Sequence, residues 1–249
     1  MVLNKIFNWQ VILGVVLIIL SASVYYIHFL IFRDARHIFI YLIGDIGFVF
    51  LEVFLVTLVV HNLLTYREKQ ALFKKMNMVI GVFFSEVGKE LLKFCIVFDM
   101  QGCSISDKLS VRSEWAASEF NRLEKDLGSY DYKIDYKKGD LQGLKDFLIK
   151  KRNFMLGLLE NQNLLEHESF TDLLWAVFHL TEELEGRVDL KNLTQKDYEH
   201  LSNDLKRSYR LLIMQWVSYM KHLKADYPYL FSLAMRTNPF DARAAIEVS

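Results

Sequence analysis

Proline occurs only twice in this chain, at Pro228 and Pro239, and that scarcity lets long helices run without interruption. Cysteine also occurs twice, as Cys95 and Cys103, with no CxxC pair and no His at a ligand spacing. Neither a disulfide framework nor a cysteine-built metal site is expected, and Cys95 reads as a core filler. An excess of charge is missing too. The 30 basic and 30 acidic groups are interspersed without long blocks of one sign, which leaves no footprint for nucleic acid. Four common catalytic signatures are absent: the phosphate loop G-x-x-x-x-G-K-[ST], a G-x-G-x-x-G after a strand, H-E-x-x-H and G-x-S-x-G. Their absence disfavours catalysis, so a non-enzymatic role without an organic cofactor is expected. Strand-like alternation of any length is lacking as well, and the expected fold class is all-α.

What the chain does have is an uneven distribution of its hydrophobic residues, which make up 52% of the whole. The first 64 residues hold only Lys5, Arg33, Asp34, Arg36, Asp45 and Glu52 as charged side chains. From Trp9 to Phe32 runs a stretch of 24 residues with no formal charge, longer than the roughly 20 needed to cross a bilayer. A second apolar run, 38–64, is interrupted only by Asp45, Glu52 and His61, and the short separator RDARH makes the two an antiparallel transmembrane hairpin. A secretory signal is the competing reading, because Lys5 precedes an apolar stretch with small residues at Ser21, Ala22 and Ser23. The apolar run continues to Phe32, past any cleavage site there, and this favours an uncleaved anchor.

Basic residues set the expected orientation in the cell membrane. Lys5, Arg67, Lys69, Lys74 and Lys75 lie on the side of the termini, against Arg33 and Arg36 in the connection, so both termini are expected in the cytoplasm. Cys95 and Cys103 then stay reduced.

Asp45 and Glu52 are the most informative residues of the second span. A carboxylate in the middle of a spanning helix costs about 2.5 to 3.5 kcal/mol even on a lenient insertion scale. Seven positions apart, they share one helical face two turns apart, and Gly44 and Gly47 permit another helix to approach beside them. By level in the hairpin, Asp45 is expected near Tyr25 and Tyr26, whose hydroxyls can bond it. Glu52 is expected among Val15, Val16, Leu17, Ile18, Ile19 and Leu20, with no partner within a single hairpin. Self-association, protonation, or a water-filled ion path would each satisfy it.

Residues 65–249 read as a cytosolic helical domain of about five helices with an aromatic C-terminal segment. Helical spacing of Leu72, Met76, Val79, Ile80, Phe83, Phe84, Val87 and Leu91 predicts a long stalk-like helix, bending near Gly81 or Gly88. Helix starts are expected at Ser110 with Glu114, at Asp140, at Ser169-x-x-Asp172 and at Thr194-x-x-Asp197, and ends at Gly128 and Gly186. Leu141, Leu144, Leu148, Met155 and Leu159 form one apolar stripe, and Leu201, Leu205, Leu212, Trp216, Tyr219 and Leu223 another. The polar segment 131–140 reads as a linker.

Two groups in this domain are candidate sites. His179, Glu182 and Glu183, with Glu166 and His167 a turn before their helix, carry imidazole and carboxylate at spacings that can point at one metal ion. The helical wheel puts His179 on the solvated side together with Trp175, which makes a patch for a protein partner the competing use. The run 227–241 offers Tyr229, Phe231, Arg236 and Phe240, either as a tail packed on the bundle or as anchors for a cytosolic partner. Together the sequence suggests a self-associating membrane protein whose cytosolic domain mediates interaction or sensing. The alternatives are an oligomeric cation or proton channel lined by the intramembrane acids, and a membrane-anchored metal-binding protein.

Overall fold

The computed structural model describes residues 2–161, 164, 167–241 and 244–246. Among these the protein is all-helical, with no strand and a single isolated bridge between Asp99 and Ile134. It divides into two units between Lys69 and Gln70.

The first unit holds α1, Val2–Phe32, and most of α2, Ala35–Phe83. The turn between them is made by Arg33 and Asp34 rather than by glycine. Arg33 takes a left-handed φ of 56°, and its N–H donates to the Phe29 carbonyl at 2.8 Å, which ends α1. The Asp34 carboxylate then accepts from the His37 N–H at 3.2 Å and caps the start of α2. Both helices are long and apolar enough to cross a membrane, over Val11–Phe32 and within Ala35–Phe98. Within this unit their described side chains are exposed almost throughout: Ile18 is 70%, Ile43 71% and Phe50 75% accessible.

The second unit has a core of its own. Beyond Gln70 the end of α2 continues into a π-helical turn, Phe84–Gly88, and then α3, Lys89–Phe98. A π-turn that ends at Gly88 lies where the bend was expected. Gly88 is required there, because a Cβ would come within 3.0 Å of the Phe84 and Phe83 rings. Met76, Ile80, Phe83, Phe84, Val87, Leu91, Leu92, Cys95 and Phe98 form one buried stripe along this stretch.

Two short helices follow, α4 at Gly102–Leu109 and α5 at Ala117–Gly128. The end of α5 at Gly128 is the one expected, whereas α4 has no counterpart among the expected helices. Ser110 follows the end of α4 instead of starting a helix, and α5 begins after Ala116, whose N–H donates to the Glu119 carboxylate. The segment read as a linker joins α3 by two backbone bonds, Met100 N–H to the Lys133 carbonyl and Asp135 N–H to the Phe98 carbonyl, both 2.8 Å.

The remaining elements are α6, Leu141–Leu159, α7, Glu168–Glu185, α8, Gln195–Asp226, and α9, Pro228–Arg236. Asp140 caps α6 and Thr194 caps α8 through their side chains, as their spacing suggested. For α7 the cap is His167, whose Nδ1 accepts from the Phe170 N–H at 3.2 Å, so the helix starts two residues before the expected motif takes effect. Pro228 occupies the first turn of α9, where its missing N–H costs nothing.

Helices α7 and α8 run antiparallel. Side-chain pairs join Ser169 to Gln215, His179 to Asp204 and Glu183 to His200, so one series rises as the other falls. Phe83 meets Phe170 edge-on at 5.3 Å and Phe84 meets Trp216 at 5.1 Å, which ties the stalk-like segment to both helices. Each fully buried Phe or Leu of this core contributes about 1.5 to 3 kcal/mol relative to exposure.

Candidate functional site

The acids of α2 stand in the open. Asp45 and Glu52 are exposed, and a Cβ built at Gly44 or Gly47 would meet nothing within 4 Å. Tyr25 is half-buried and Tyr26 is 64% accessible. Among the described residues no hydrogen bond joins either tyrosine to Asp45, so the structure does not bring this expected pair together. What it does assemble near the connection is a run of rings, with His28 stacked on His37 at 6.2 Å and His37 beside Tyr41 at 4.6 Å.

In the second unit the antiparallel pairing of α7 and α8 gathers a different group from the one read off the sequence. His179 and Glu183 project from α7 at i and i+4, and His200 and Asp204 project from α8 at the same spacing. His200 Nε2 lies 3.3 Å from Asp204 Oδ2 and 3.4 Å from Glu183 Oε2. His179 Nε2 lies 3.6 Å from Asp204 Oδ2 and 3.9 Å from Glu183 Oε1. His179, Glu183 and His200 present ligand atoms that all lie within 4.8 Å of one another.

Glu182, expected in this group, turns outward and pairs at 4.0 Å with Arg152, which also reaches Glu185 at 3.5 Å. A residue one position from Glu183 on a helix points about 100° away, and the core on one side leaves it only solvent. Glu166 lies outside the described residues. His167 serves as the α7 cap described above. The sequence reading missed His200 and Asp204, although the pair repeats the His-x-x-x-acid spacing of His179 and Glu183.

Burial within the group is uneven. Asp204 is only 5% accessible, and its Oδ2 has no hydrogen-bond partner. The two imidazoles are about half exposed, so the group has a buried floor at Asp204 and an open rim. On the rim Arg187 donates to Glu183 Oε2 at 2.6 Å and reaches Asp197 at 3.5 Å. That guanidinium holds the Glu183 carboxyl below its ordinary range. Such a set of two imidazole nitrogens and two carboxylates can take up protons or a borderline metal cation.

The aromatic candidates separate by burial. Phe231 and Phe240 are 5% and 4% accessible and belong to the protein's own core, which assigns them to packing within the chain rather than to docking. The tail is further fixed by Asn238, which donates to the Leu109 carbonyl at 2.9 Å and accepts from the Phe240 N–H at 3.2 Å. Arg236 donates to the Ile246 carbonyl. Trp175 and Tyr229 remain exposed, at 56% and 70%.

Two family models match the chain in succession. Residues 4–64 match the N-terminal helical domain of MJ1433, and residues 72–236 match the C-terminal helical domain of the uncharacterized protein MJ1433. The uncharacterized protein MJ1433 of Methanocaldococcus jannaschii is 48% identical over 239 residues, which cover 96% of each chain. No solved structure matches.

Proposed function

The chain belongs to the MJ1433 family, and on that premise we propose that it is a non-enzymatic integral membrane protein that self-associates through its second span and presents the helical domain to the cytoplasm for interaction or sensing. The spans are residues 9–32 and 38–64. One observation carries the reading: the described apolar side chains from Trp9 to Leu64 are left almost wholly uncovered, whereas the second unit buries a full core. Apolar surface on that scale far exceeds the few hundred Å2 that a soluble monomer leaves in one patch. A bilayer covers it at no such cost.

Self-association follows from Glu52. Its carboxyl is exposed among apolar side chains, two turns from Asp45, on a helix whose glycines leave room for a neighbour. Polar groups between transmembrane helices contribute about 0.6 to 2 kcal/mol each, and a face carrying two in every copy gains from pairing. A position in the cell membrane with the helical domain inside accords with the basic residues that follow the second span.

The test is membrane fractionation with alkaline washing, followed by crosslinking in native membranes. The protein is expected to resist extraction and to form discrete oligomers. Glu52→Leu is expected to shift the oligomer distribution, and Glu52→Gln to shift it less, because an amide still bonds. A protein released by alkaline washing would overturn the membrane reading. A strictly monomeric one in membranes would overturn the association. If assembly persists while Glu52→Gln changes ion flux in liposomes, the acids line an ion path instead.

A further inference from the structure

We propose that His179, Glu183, His200 and Asp204 form a binding site for one divalent first-row transition-metal ion, with Zn2+ best suited to its geometry. The inference is independent of the membrane reading, since all four residues lie within the second unit.

The distances discriminate between an ion site and a plain network of ion pairs. A charge-assisted hydrogen bond between imidazole and carboxylate closes to about 2.7 to 2.9 Å. None of the four contacts here does so: they measure 3.3, 3.4, 3.6 and 3.9 Å. An ion held at about 2.0 to 2.1 Å by tetrahedral N and O ligands sets those ligands about 3.3 Å apart. The His200 contacts, at 3.3 and 3.4 Å, match the spacing of ligands around one centre, and the His179 contacts, at 3.6 and 3.9 Å, lie somewhat beyond it, so an ion would draw His179 inward.

Asp204 supplies the second, independent observation. Its Oδ2 is buried without a hydrogen-bond partner, at the floor of the group, facing both imidazole Nε2 atoms. A buried carboxylate oxygen without a partner is costly, and a cation at the centre of the group satisfies it.

The donor set selects the ion class. Two imidazoles beside two carboxylates suit Zn2+, Co2+ or Fe2+, whereas Mg2+ and Ca2+ take oxygen ligands. Arg187 holds Glu183 Oε2 at 2.6 Å, which leaves Oε1, 3.9 Å from His179 Nε2, as the oxygen offered to the ion. Arg187 then acts as an outer partner that orients the carboxylate. His179 and Glu183 are reached from solvent, because with Glu182, Gly186, Arg187 and Asp197 they line an open cavity. Binding releases no thiol and needs no redox step: a hydrated ion exchanges waters for two neutral imidazoles and two carboxylates.

Co2+ serves as the probe, because its visible absorption is intense only in a tetrahedral field. Full-length protein, purified in detergent with a tag that binds no metal and stripped with chelator, is titrated with Co2+ and then with Zn2+. One Co2+ per chain is expected, with a tetrahedral spectrum that Zn2+ abolishes. Asp204→Asn and His200→Ala are expected to weaken binding by about tenfold or more, the least that loss of even an outer partner costs. Glu182→Gln is expected to leave the titration unchanged. Helical circular dichroism of each variant confirms that it is folded. A wild-type protein with no saturable Co2+ band would overturn the proposal, and the group would then be an ion-pair network only. Equal weakening by Glu182→Gln would overturn it too, as would a folded His179→Ala/His200→Ala variant that binds like the wild type.

Discussion

Asn238 is the point at which the C-terminal segment is locked onto the bundle, and its removal has a calculable cost. The residue is 3% accessible. Its Nδ2 donates to the Leu109 carbonyl and its Oδ1 accepts from the Phe240 N–H. In Asn238→Ala the two backbone groups fare differently. Leu109 keeps a second donor, the Val111 N–H at 2.9 Å, so that end loses one ordinary bond, about 1 kcal/mol. The Phe240 N–H, beside a buried ring, is left with no acceptor among the described residues, which costs about 1 to 2 kcal/mol more. The sum is about 2 to 3 kcal/mol, or a urea midpoint lower by about 1 M for a protein of this size. Urea titration of the detergent-solubilised protein, followed by helical circular dichroism, measures it. Tyr229→Ala, at an exposed position on the neighbouring helix, is the control and should stay within about 0.5 kcal/mol. If Asn238→Ala also stays within that margin, the tail is not held as argued.

Glycines in and near helices divide by what surrounds them. Gly157, in α6, would meet nothing within 4 Å as alanine, so Gly157→Ala should raise stability by about 0.5 to 1 kcal/mol in the same titration. Gly88→Ala should lower it by about 1 to 3 kcal/mol, because the Phe84 ring it would strike is fixed in the core; a gain at Gly88 would contradict the packing of the π-turn. Asp99 offers a test by pH. Burial pushes its carboxyl up, so its contribution to stability is greatest below the unfolded value, near 4, and is lost as pH rises through that value toward the folded one. Asp99→Asn keeps the acceptor for the Gln101 N–H and should be more stable than wild type at pH 7, with the difference closing toward pH 4. A difference that widens toward pH 4 would refute the direction of the shift.

Helix content was legible because its signals are local. Two prolines and a sustained apolar period of 3.6 leave few other choices, and the caps at Asp140 and Thr194 act over three residues. Less legible were the short helix α4 and the start of α5, whose end at Gly128 the sequence did mark. Each spans only two or three turns, and each is anchored by a few residues such as Ile105, Leu109, Phe120 and Leu123 that mean nothing until their long-range partners are known. The same holds for the π-turn. Gly81 and Gly88 mark a place where the helix can deform, but the direction of the deformation is decided by where Phe83, Phe84 and Trp216 pack. His167 shows how a cap escapes a sequence rule, since an imidazole nitrogen does the work usually looked for in a hydroxyl or carboxylate.

The candidate metal centre was half legible, and the missing half has a physical reason. On α7 the wheel correctly set His179 away from the core, and that exposure argued against a ligand role as long as the helix was considered alone. A second helix alters the inference, because a position at the edge of a buried face is where two helices bring side chains together without burying them. Which residues meet there depends on register. In an antiparallel pair, moving four residues forward on one helix means moving four back on the other. His179 therefore faces Asp204 when Glu183 faces His200, and a one-turn slip would separate every member. Leu173, Leu174 and Val177 on one helix and Leu201, Leu205 and Leu212 on the other all belong to the buried core, and none has any chemistry to announce a site. Asp204 lies between two of those leucines in the sequence. An acid on an apolar face, four residues after a histidine, is the local signal that pointed there, and it has meaning only when the imidazole of the other helix is set against it.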